Sequence, residues 1–248
     1  MKWLHKGSLY VDMFVCGAKP EYDYISNTFG HDKDVPQYLG LCRFDNLIRA
    51  GKSDKMILVM PTWRGSDYPS GKNFVNTNYF KTFNSIINNQ ELDKMLCESG
   101  CKLIFYPHVE IQKDMHYFST KSENIILADK TGYDVQELLM SCSLLITDYS
   151  SVFFDVAYLN KPAIYYQFDE QEFRKFHYQK GTFDYRKDGF GSVVEDEKSL
   201  LYEIKHCIEN DFVIDECYKS RIKTYFPLHD DKNCERTMKA IQNLIKSK

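Results

Sequence analysis

The 248-residue sequence has no apolar run approaching the roughly 20 residues that cross a bilayer as a helix. Its first residues, Met-Lys-Trp-Leu-His-Lys-Gly, lack the apolar core of a secretory signal. The eight cysteines, at 16, 42, 97, 101, 142, 207, 217 and 234, include no Cys-x-x-Cys pair, which argues against a zinc or thioredoxin-like site. Cys16 and Cys142 sit in apolar stretches, where a thiol serves as a small buried hydrophobe. Reduced thiols fit a cytoplasmic protein. No Gly-x-x-x-x-Gly-Lys-Ser/Thr and no Gly-x-Gly-x-x-Gly occurs, so neither a P-loop nor a dinucleotide fingerprint is present. No His/Glu/Asp cluster has metal-ligand spacing, and neither metal nor cofactor is expected. Excess positive charge is missing too. The net charge of −3 argues against a general nucleic-acid binder.

What is present is enough apolar material for a core, at 43% hydrophobic residues. Lys55 to Met60 is a continuous apolar run bounded by turns, the pattern of a parallel strand buried on both faces. Lys102 to Tyr106, Ile125 to Leu127, Leu144 to Ile146 and Ala163 to Tyr166 read as further strands. Between them lie helical patterns. Tyr79 to Leu96 carries one with a break near Asn88-Asn89, Val135 to Cys142 follows Asp134 as N-cap, and Val152 to Leu159 follows the fourth strand. Ser199 to Glu209 and Arg236 to Lys246 close the chain as amphipathic helices. In the first fifty residues, 12 to 17 read as a short strand and Glu21 to Phe29 as a helix, with a polar linker at 51 to 54. Strands alternating with helices predict an α/β, Rossmann-like parallel sheet with helices on both faces.

In such a sheet ligands bind beyond the carboxyl ends of the strands, and three polar clusters fall there. Thr62-Trp63-Arg64 follows the first strand of the alternation. An arginine there can bind phosphate bidentately, or be an ordinary surface residue paired with Asp67. His108 follows Pro107 at the end of the next strand. It can accept a proton near neutral pH, donate to a phosphate, or do no chemistry. His177, followed by Tyr178, Lys180 and Gly181, is the next-best histidine. Thr147-Asp148-Tyr149-Ser150-Ser151 ends a strand and opens a helix. Helix-start amides and the dipole favour an anion there, and Ser150 and Ser151 either cap the helix or donate to the anion. Asp155, one turn into the helix, can bond back to that turn or reach a substrate hydroxyl. Residues 181 to 191, rich in glycine and aromatics, read either as a loop that closes over a ligand or as a plain surface loop. Together the clusters favour a pyrophosphate site over a bare helix cap.

These clusters, in this order, resemble the CDP-glycerol glycerophosphotransferase family of teichoic-acid and capsule-polymer synthesis. The resemblance rests on Gly40 to Leu47, Pro61-Thr62-Trp63-Arg64, Tyr106-Pro107-His108, Leu145 to Ser151, Asp155 and Lys161-Pro162. It continues through Phe168-Asp169, Phe183-Asp184-Tyr185, Gly189-Phe190-Gly191 and Asp231 to Arg236. It implies a GT-B fold, with residues 51–248 as the C-terminal donor-binding domain and 1–50 as the last part of an N-terminal domain. It implies transfer of glycerol phosphate from CDP-glycerol, or of the analogous group from CDP-ribitol, to a hydroxyl of a lipid-linked polymer, with CMP leaving. His108 takes the catalytic position. Thr62, Arg64, Thr147, Asp148, Ser150, Ser151 and Asp155 take substrate-binding positions. A peripheral place at the cytoplasmic face of the membrane follows. So does a possible partner chain supplying the remaining N-terminal domain. The alternatives are a non-catalytic nucleotide-binding subunit and a transferase using another sugar nucleotide.

Overall fold

The computed structural model describes residues 2–49, 54–177 and 181–246. Most of the expected 51–54 linker, and Tyr178 and Lys180 beside His177, lie outside the described residues. The chain divides into two compact units, Met1–Ala50 with Lys219–Lys248, and Gly51–Tyr218. The sequence reading assigned all of 51–248 to the sheet domain. The last thirty residues instead pack with the first fifty.

The larger unit is built on a six-stranded parallel sheet. Numbering strands along the whole chain, β1 is Phe14–Cys16 and β2 is Pro36–Tyr38. The sheet strands are β3 (Met56–Val59), β4 (Lys102–Phe105), β5 (Ile125–Leu127), β6 (Leu144–Thr147), β7 (Ala163–Tyr166) and β8 (Gly191–Val194). Their order is β5-β4-β3-β6-β7-β8, the doubly wound arrangement of a dinucleotide-type fold. β3, β6 and β7 are buried along their whole length, as expected of central parallel strands covered on both faces. Chain order reverses between β3 and β6. In folds of this order ligands bind at the carboxyl ends of the strands beside that reversal.

Helix boundaries follow local capping chemistry. The expected break at Asn88-Asn89 separates helices Asn78–Ile86 and Gln90–Ser99. Asn89 starts the second by accepting from the Leu92 amide at 3.0 Å, and Thr77 starts the first by accepting from Phe80 at 3.1 Å. Asp134 caps Val135–Ser141 through the Glu137 amide at 3.0 Å. The abundant aromatics fill the core. Phe83 packs against Tyr79, Phe105 and Phe168 with ring centroids 4.8, 5.7 and 5.5 Å away. Besides helices Arg43–Ile48 and Glu216–Tyr225, elements near the site escaped the sequence reading: helix Glu170–Phe176, helix Tyr185–Asp188 inside the expected 181–191 loop, and the edge strand β8. Each is short, and β8 begins on a glycine, so neither periodicity nor propensity marks it.

In the smaller unit β1 and β2 form a two-stranded parallel ladder flanked by helix Lys19–Thr28. Two family-like segments, Gly40 to Leu47 and Asp231 to Arg236, meet here. The buried Asp45 carboxylate accepts from the Asn233 amide (2.8 Å), the Asn233 side chain (2.6 Å) and the Cys234 amide (2.8 Å), at the start of helix Asn233–Lys246. Arg236 donates to the Leu39 carbonyl at 2.8 Å and to Asp230 at 2.8 and 2.9 Å. Gly40, at φ +78°, has no room for a side chain, since a Cβ would stand 1.7 Å from Asn233 Oδ1. These residues therefore hold helix to loop within this unit.

Burial opposes ionisation of Asp45, but the Cys234 and Asn233 donors outweigh it and hold the carboxyl below its ordinary value. Asp45→Ala leaves three donors without their acceptor and is expected to cost on the order of 3 kcal/mol in urea unfolding. The unfolded carboxyl titrates near about 4. The stabilisation is thus complete above about pH 4 and fades as pH falls through the depressed folded value. Urea midpoints of wild type and Asp45→Ala should converge in acid.

Candidate functional site

The site is built where β3, β4 and β6 end. Parallel pairing continues past the strands. Met60 N–H donates to Ile146 O (2.8 Å), Tyr106 N–H to Val59 O (2.9 Å) and His108 N–H to Pro61 O (3.3 Å). The three loops thus leave the sheet side by side. Asp148 stitches two of them together, as its Oδ1 accepts from the Thr62 amide at 2.8 Å and from the Tyr149 amide at 2.7 Å. Thr147 Oγ1 donates to the Met60 carbonyl at 2.7 Å.

Arg64 does not face the crevice. Its side chain is fully buried, in a bidentate pair with Asp169 (2.7 and 3.1 Å) and an ion pair with Asp148 Oδ2 at 2.8 Å. It also donates to the Thr62 carbonyl. The guanidinium carbon lies 5.0 to 5.7 Å from the ring centroids of Tyr79, Phe173, Phe168 and Tyr149. Burial works against the charge, and Asp148 and Asp169 more than restore it. Burial raises the Asp169 carboxyl, with Arg64 opposing that rise. Gly65 follows at φ +101°, where a Cβ would stand 2.3 Å from the Phe176 carbonyl, so the chain turns sharply once the arginine is placed.

This placement corrects four of the expected substrate contacts. Arg64 and Asp148 are both fully buried, and Arg64 is paired with Asp148 and Asp169 rather than presented at the surface. Thr147 is 2% exposed and spends its hydroxyl on Met60. Asp155 is buried and engaged inside the protein. The helix it belongs to, Phe153–Tyr158, has only six residues and begins after a turn, so its dipole is short. Ser150 Oγ accepts from the Val152 amide at a long 3.4 Å, a contact within the turn before the helix, whose N-cap Val152 has no side-chain cap. Ser151 is exposed.

Beside the Asp148 contacts two further polar groups stand out. Thr62 Oγ1 and Tyr149 Oη are buried hydroxyls with no hydrogen-bond partner among the described residues. Buried polar atoms are seldom left so, and a ligand oxygen is one way to satisfy them. Both belong to residues whose amides share Asp148 Oδ1, so both loops are tied to the same carboxylate. The Tyr149 ring is stacked on Phe173 at 3.9 Å, and burial raises its phenol further above neutrality. Tyr149 therefore stays a neutral donor.

Beside the switch point Trp63 stands between two imidazoles. His108 stacks parallel to it at 5.7 Å and His177 meets it edge-on at 5.6 Å. Burial lowers both histidines below their ordinary value, so both are neutral at pH 7. His108 caps helix Val109–Gln112, its Nδ1 accepting from the Glu110 amide at 3.3 Å. The neutral ring therefore carries its proton on Nε2 and presents a donor rather than a lone pair. Trp63, Tyr149, Asp169 and His177 all stood in sequence segments already singled out. Their roles depend on the Arg64 cluster, which no spacing rule reveals.

Arg64→Met removes the cation between two buried carboxylates. It is expected to cost about 3–5 kcal/mol in denaturant unfolding without any ligand. A loss confined to ligand affinity, with unfolding unchanged, would return Arg64 to the binding surface.

The profile of the CDP-Glycerol:Poly(glycerophosphate) glycerophosphotransferase family matches residues 12–243. The minor teichoic acid biosynthesis protein GgaB of Bacillus subtilis is 31% identical over 258 aligned positions, covering 100% of this chain and 28% of that protein. A teichoic acid poly(glycerol phosphate) polymerase of Bacillus spizizenii is 28% identical over 195 positions, covering 74% of this chain and 43% of its own length. The chain thus spans less than half of either relative. Among solved structures, the wall teichoic acid polymerase TagF superposes with a TM-score of 0.66 at 20% identity, over 95% of this chain and 59% of that one. This likeness confirms the Rossmann-like, GT-B-type architecture. With 232 consecutive residues under the family profile, the chain belongs to the CDP-glycerol:poly(glycerophosphate) glycerophosphotransferase family.

Proposed function

We propose that this chain binds a CDP-polyol, CDP-glycerol in the first instance, at the β3/β6 switch point and takes part in transferring its glycerol phosphate to a polymer hydroxyl. The observation that carries the reading is the pair of orphan hydroxyls, Thr62 Oγ1 and Tyr149 Oη, beside the exposed Ser151. They form a ready set of neutral donors for a pyrophosphate. Family membership supplies the donor class. In the reaction a hydroxyl oxygen of the acceptor bonds to the phosphorus next to glycerol, the bridging P–O bond breaks, and CMP leaves with the bridging oxygen. The hydroxyl proton passes to solvent or a nearby base. Phosphoryl transfer of this kind has a loose transition state and asks the protein mainly for positioning and charge stabilisation.

His108 fits that demand as a donor. Its Nε2–H points the hydrogen-bonding capacity of a neutral ring at a phosphoryl oxygen, and Trp63 and the Glu110 amide fix the ring plane. The acceptor in this reading is a lipid-linked teichoic-acid-type polymer, which places the protein at the inner face of the membrane. Because the curated relatives are longer, further polypeptide, in the same or a partner chain, is proposed to complete the cleft around the donor.

CDP-glycerol or CMP at 100-fold over Kd should stabilise the fold by about 2.7 kcal/mol, seen as a rise in Tm. Thr62→Val and Ser151→Ala should shrink that rise. No rise at millimolar ligand sinks the donor site, and a larger response to CDP-ribitol or a UDP-sugar reassigns the donor. In a transfer assay with whatever polypeptide completes the cleft, His108→Ala should lower kcat by about 10²–10³. His108→Gln, whose amide nitrogen can take the place of Nε2–H, should recover part of it. Equal inactivity of the two variants would make His108 a proton acceptor instead.

A further inference from the structure

Two segments singled out in the sequence, Gly40 to Leu47 and Asp231 to Arg236, take no part in the donor reading above. Each contributes an exposed cysteine, Cys42 and Cys234. Although 192 positions apart in sequence, the two residues meet. Cys234 Sγ donates to the Cys42 carbonyl at 3.6 Å, and the same oxygen accepts from the Asp45 amide at 3.2 Å. A side-chain hydrogen bond to Asp45, then one to the Cys42 side chain, push the Cys234 thiol up to about 11. Both residues belong to the smaller unit.

Both sulfurs stand on fixed backbone. Cys42 occupies the N-cap position of helix Arg43–Ile48, yet its side chain makes no capping bond. That helix is pinned by the buried Phe44, whose ring meets Phe226 edge-on at 5.8 Å. Cys234 is the second residue of helix Asn233–Lys246, and its amide is held by Asp45 Oδ2 at 2.8 Å. Asn233 before it is fully buried. Disulfide formation needs two residues already side by side. A sulfur in contact with both the carbonyl and the thiol of its partner meets that need. Among the described residues no group of three His, Cys, Asp or Glu side chains is placed to hold a metal ion, so a dithiol reaction suits the pair better than metal binding.

We propose that Cys42 and Cys234 form a reversible disulfide that braces the smaller unit, with a small-molecule disulfide as the oxidant. The Cys42 thiolate attacks one sulfur of the oxidant, whose S–S bond breaks and releases one small thiol. The Cys234 sulfur, its proton passing to solvent, then attacks Cys42 in the mixed disulfide and expels the second small thiol. The two protein thiols together lose two electrons and two protons, which the oxidant gains in becoming two thiols. Asp45 sets the order, because it holds the Cys234 proton and leaves the first attack to Cys42. The bridge ties the start of helix Asn233–Lys246 to the start of helix Arg43–Ile48, reinforcing the Asp45 contacts. It also closes a loop that contains the whole sequence of the larger unit, and a loop that long takes much freedom from the unfolded chain. In a reducing compartment such a bond forms only transiently and reports oxidation.

The test equilibrates the full chain in buffers of fixed reduced glutathione and rising glutathione disulfide, followed by an acid quench and digestion without reductant. Cys97 and Cys217, also exposed, serve as internal references. The Cys42–Cys234 peptide pair should accumulate at roughly tenfold less glutathione disulfide than the glutathione adducts of the references, because its second step is intramolecular. Cys42→Ser and Cys234→Ser should each abolish the pair and leave the other cysteine as a glutathione adduct, whereas Cys217→Ser should leave the pair unchanged. The bridged protein should unfold at higher urea than the reduced protein, and dithiothreitol should reverse the shift. Adducts on both cysteines without a bridge overturn the proposal. So does a bridge that appears no earlier than the reference adducts, or pairing of either cysteine with a different one. A bridge that leaves the urea midpoint in place overturns the brace.

Discussion

One buried guanidinium organises the carboxyl edge of the sheet. Arg64 lies between Asp148, at the end of β6, and Asp169, beyond β7, so a single cation ties together loops from three strands. Removing three charges from water is costly, and such a cluster persists only with close geometry and full hydrogen bonding. Here the bidentate Asp169 pair, the 2.8 Å ion pair to Asp148, the Thr62 carbonyl and four aromatic rings surround the guanidinium. Asp148 then uses its other oxygen on the Thr62 and Tyr149 amides. The position of the orphan hydroxyls follows directly from that oxygen. The loop residues at this edge are thus positioned by a buried charge cluster.

The same division between buried support and exposed chemistry runs through the site. Phe173 connects the two, lying under the Arg64 guanidinium, stacking on Tyr149 at 3.9 Å and on His177 at 5.1 Å. His177 in turn meets Trp63, which stacks on His108. A continuous row of rings therefore crosses the edge from the β6 loop to the β4 loop. Flat rings in contact have few alternative rotamers, so the row fixes the ring plane of His108 from one side while the Glu110 amide fixes its tautomer from the other. Preorganisation of this kind is what electrostatic stabilisation of a transferring phosphoryl group requires. In the smaller unit Asp45, together with Arg236, joins loop and terminal helix.

Much of the fold could be read from local pattern. The runs at Met56–Val59, Leu144–Thr147 and Ala163–Tyr166 are apolar throughout because those strands are covered on both faces. Thr77, Asn89 and Asp134 mark helix starts because their short side chains reach amides two or three residues on. The pieces that escaped are those whose stability is tertiary. β8 is held by its ladder to β7. Helix Glu170–Phe176 is anchored by Asp169 and Phe173, which serve the Arg64 cluster. The terminal helix was legible as an amphipathic helix, but its membership in the first unit was not. Its partner, Asp45, lies 188 residues away from Asn233.

By itself the sequence determined the alternating α/β architecture and the family, and it placed Thr62, Arg64, His108 and Ser151 in loops at one edge. Strand period and loop position are local properties, and they carry that far. Only the tertiary structure decided which of those side chains meet solvent. An arginine after a strand can bind a ligand or pair internally with equal local plausibility. Here two distant carboxylates and four rings draw Arg64 inward, because a desolvated cation is stable only among partners. With Arg64 withdrawn, the proposed donor site rests on neutral groups, Thr62, Tyr149, Ser151 and the Nε2–H of His108.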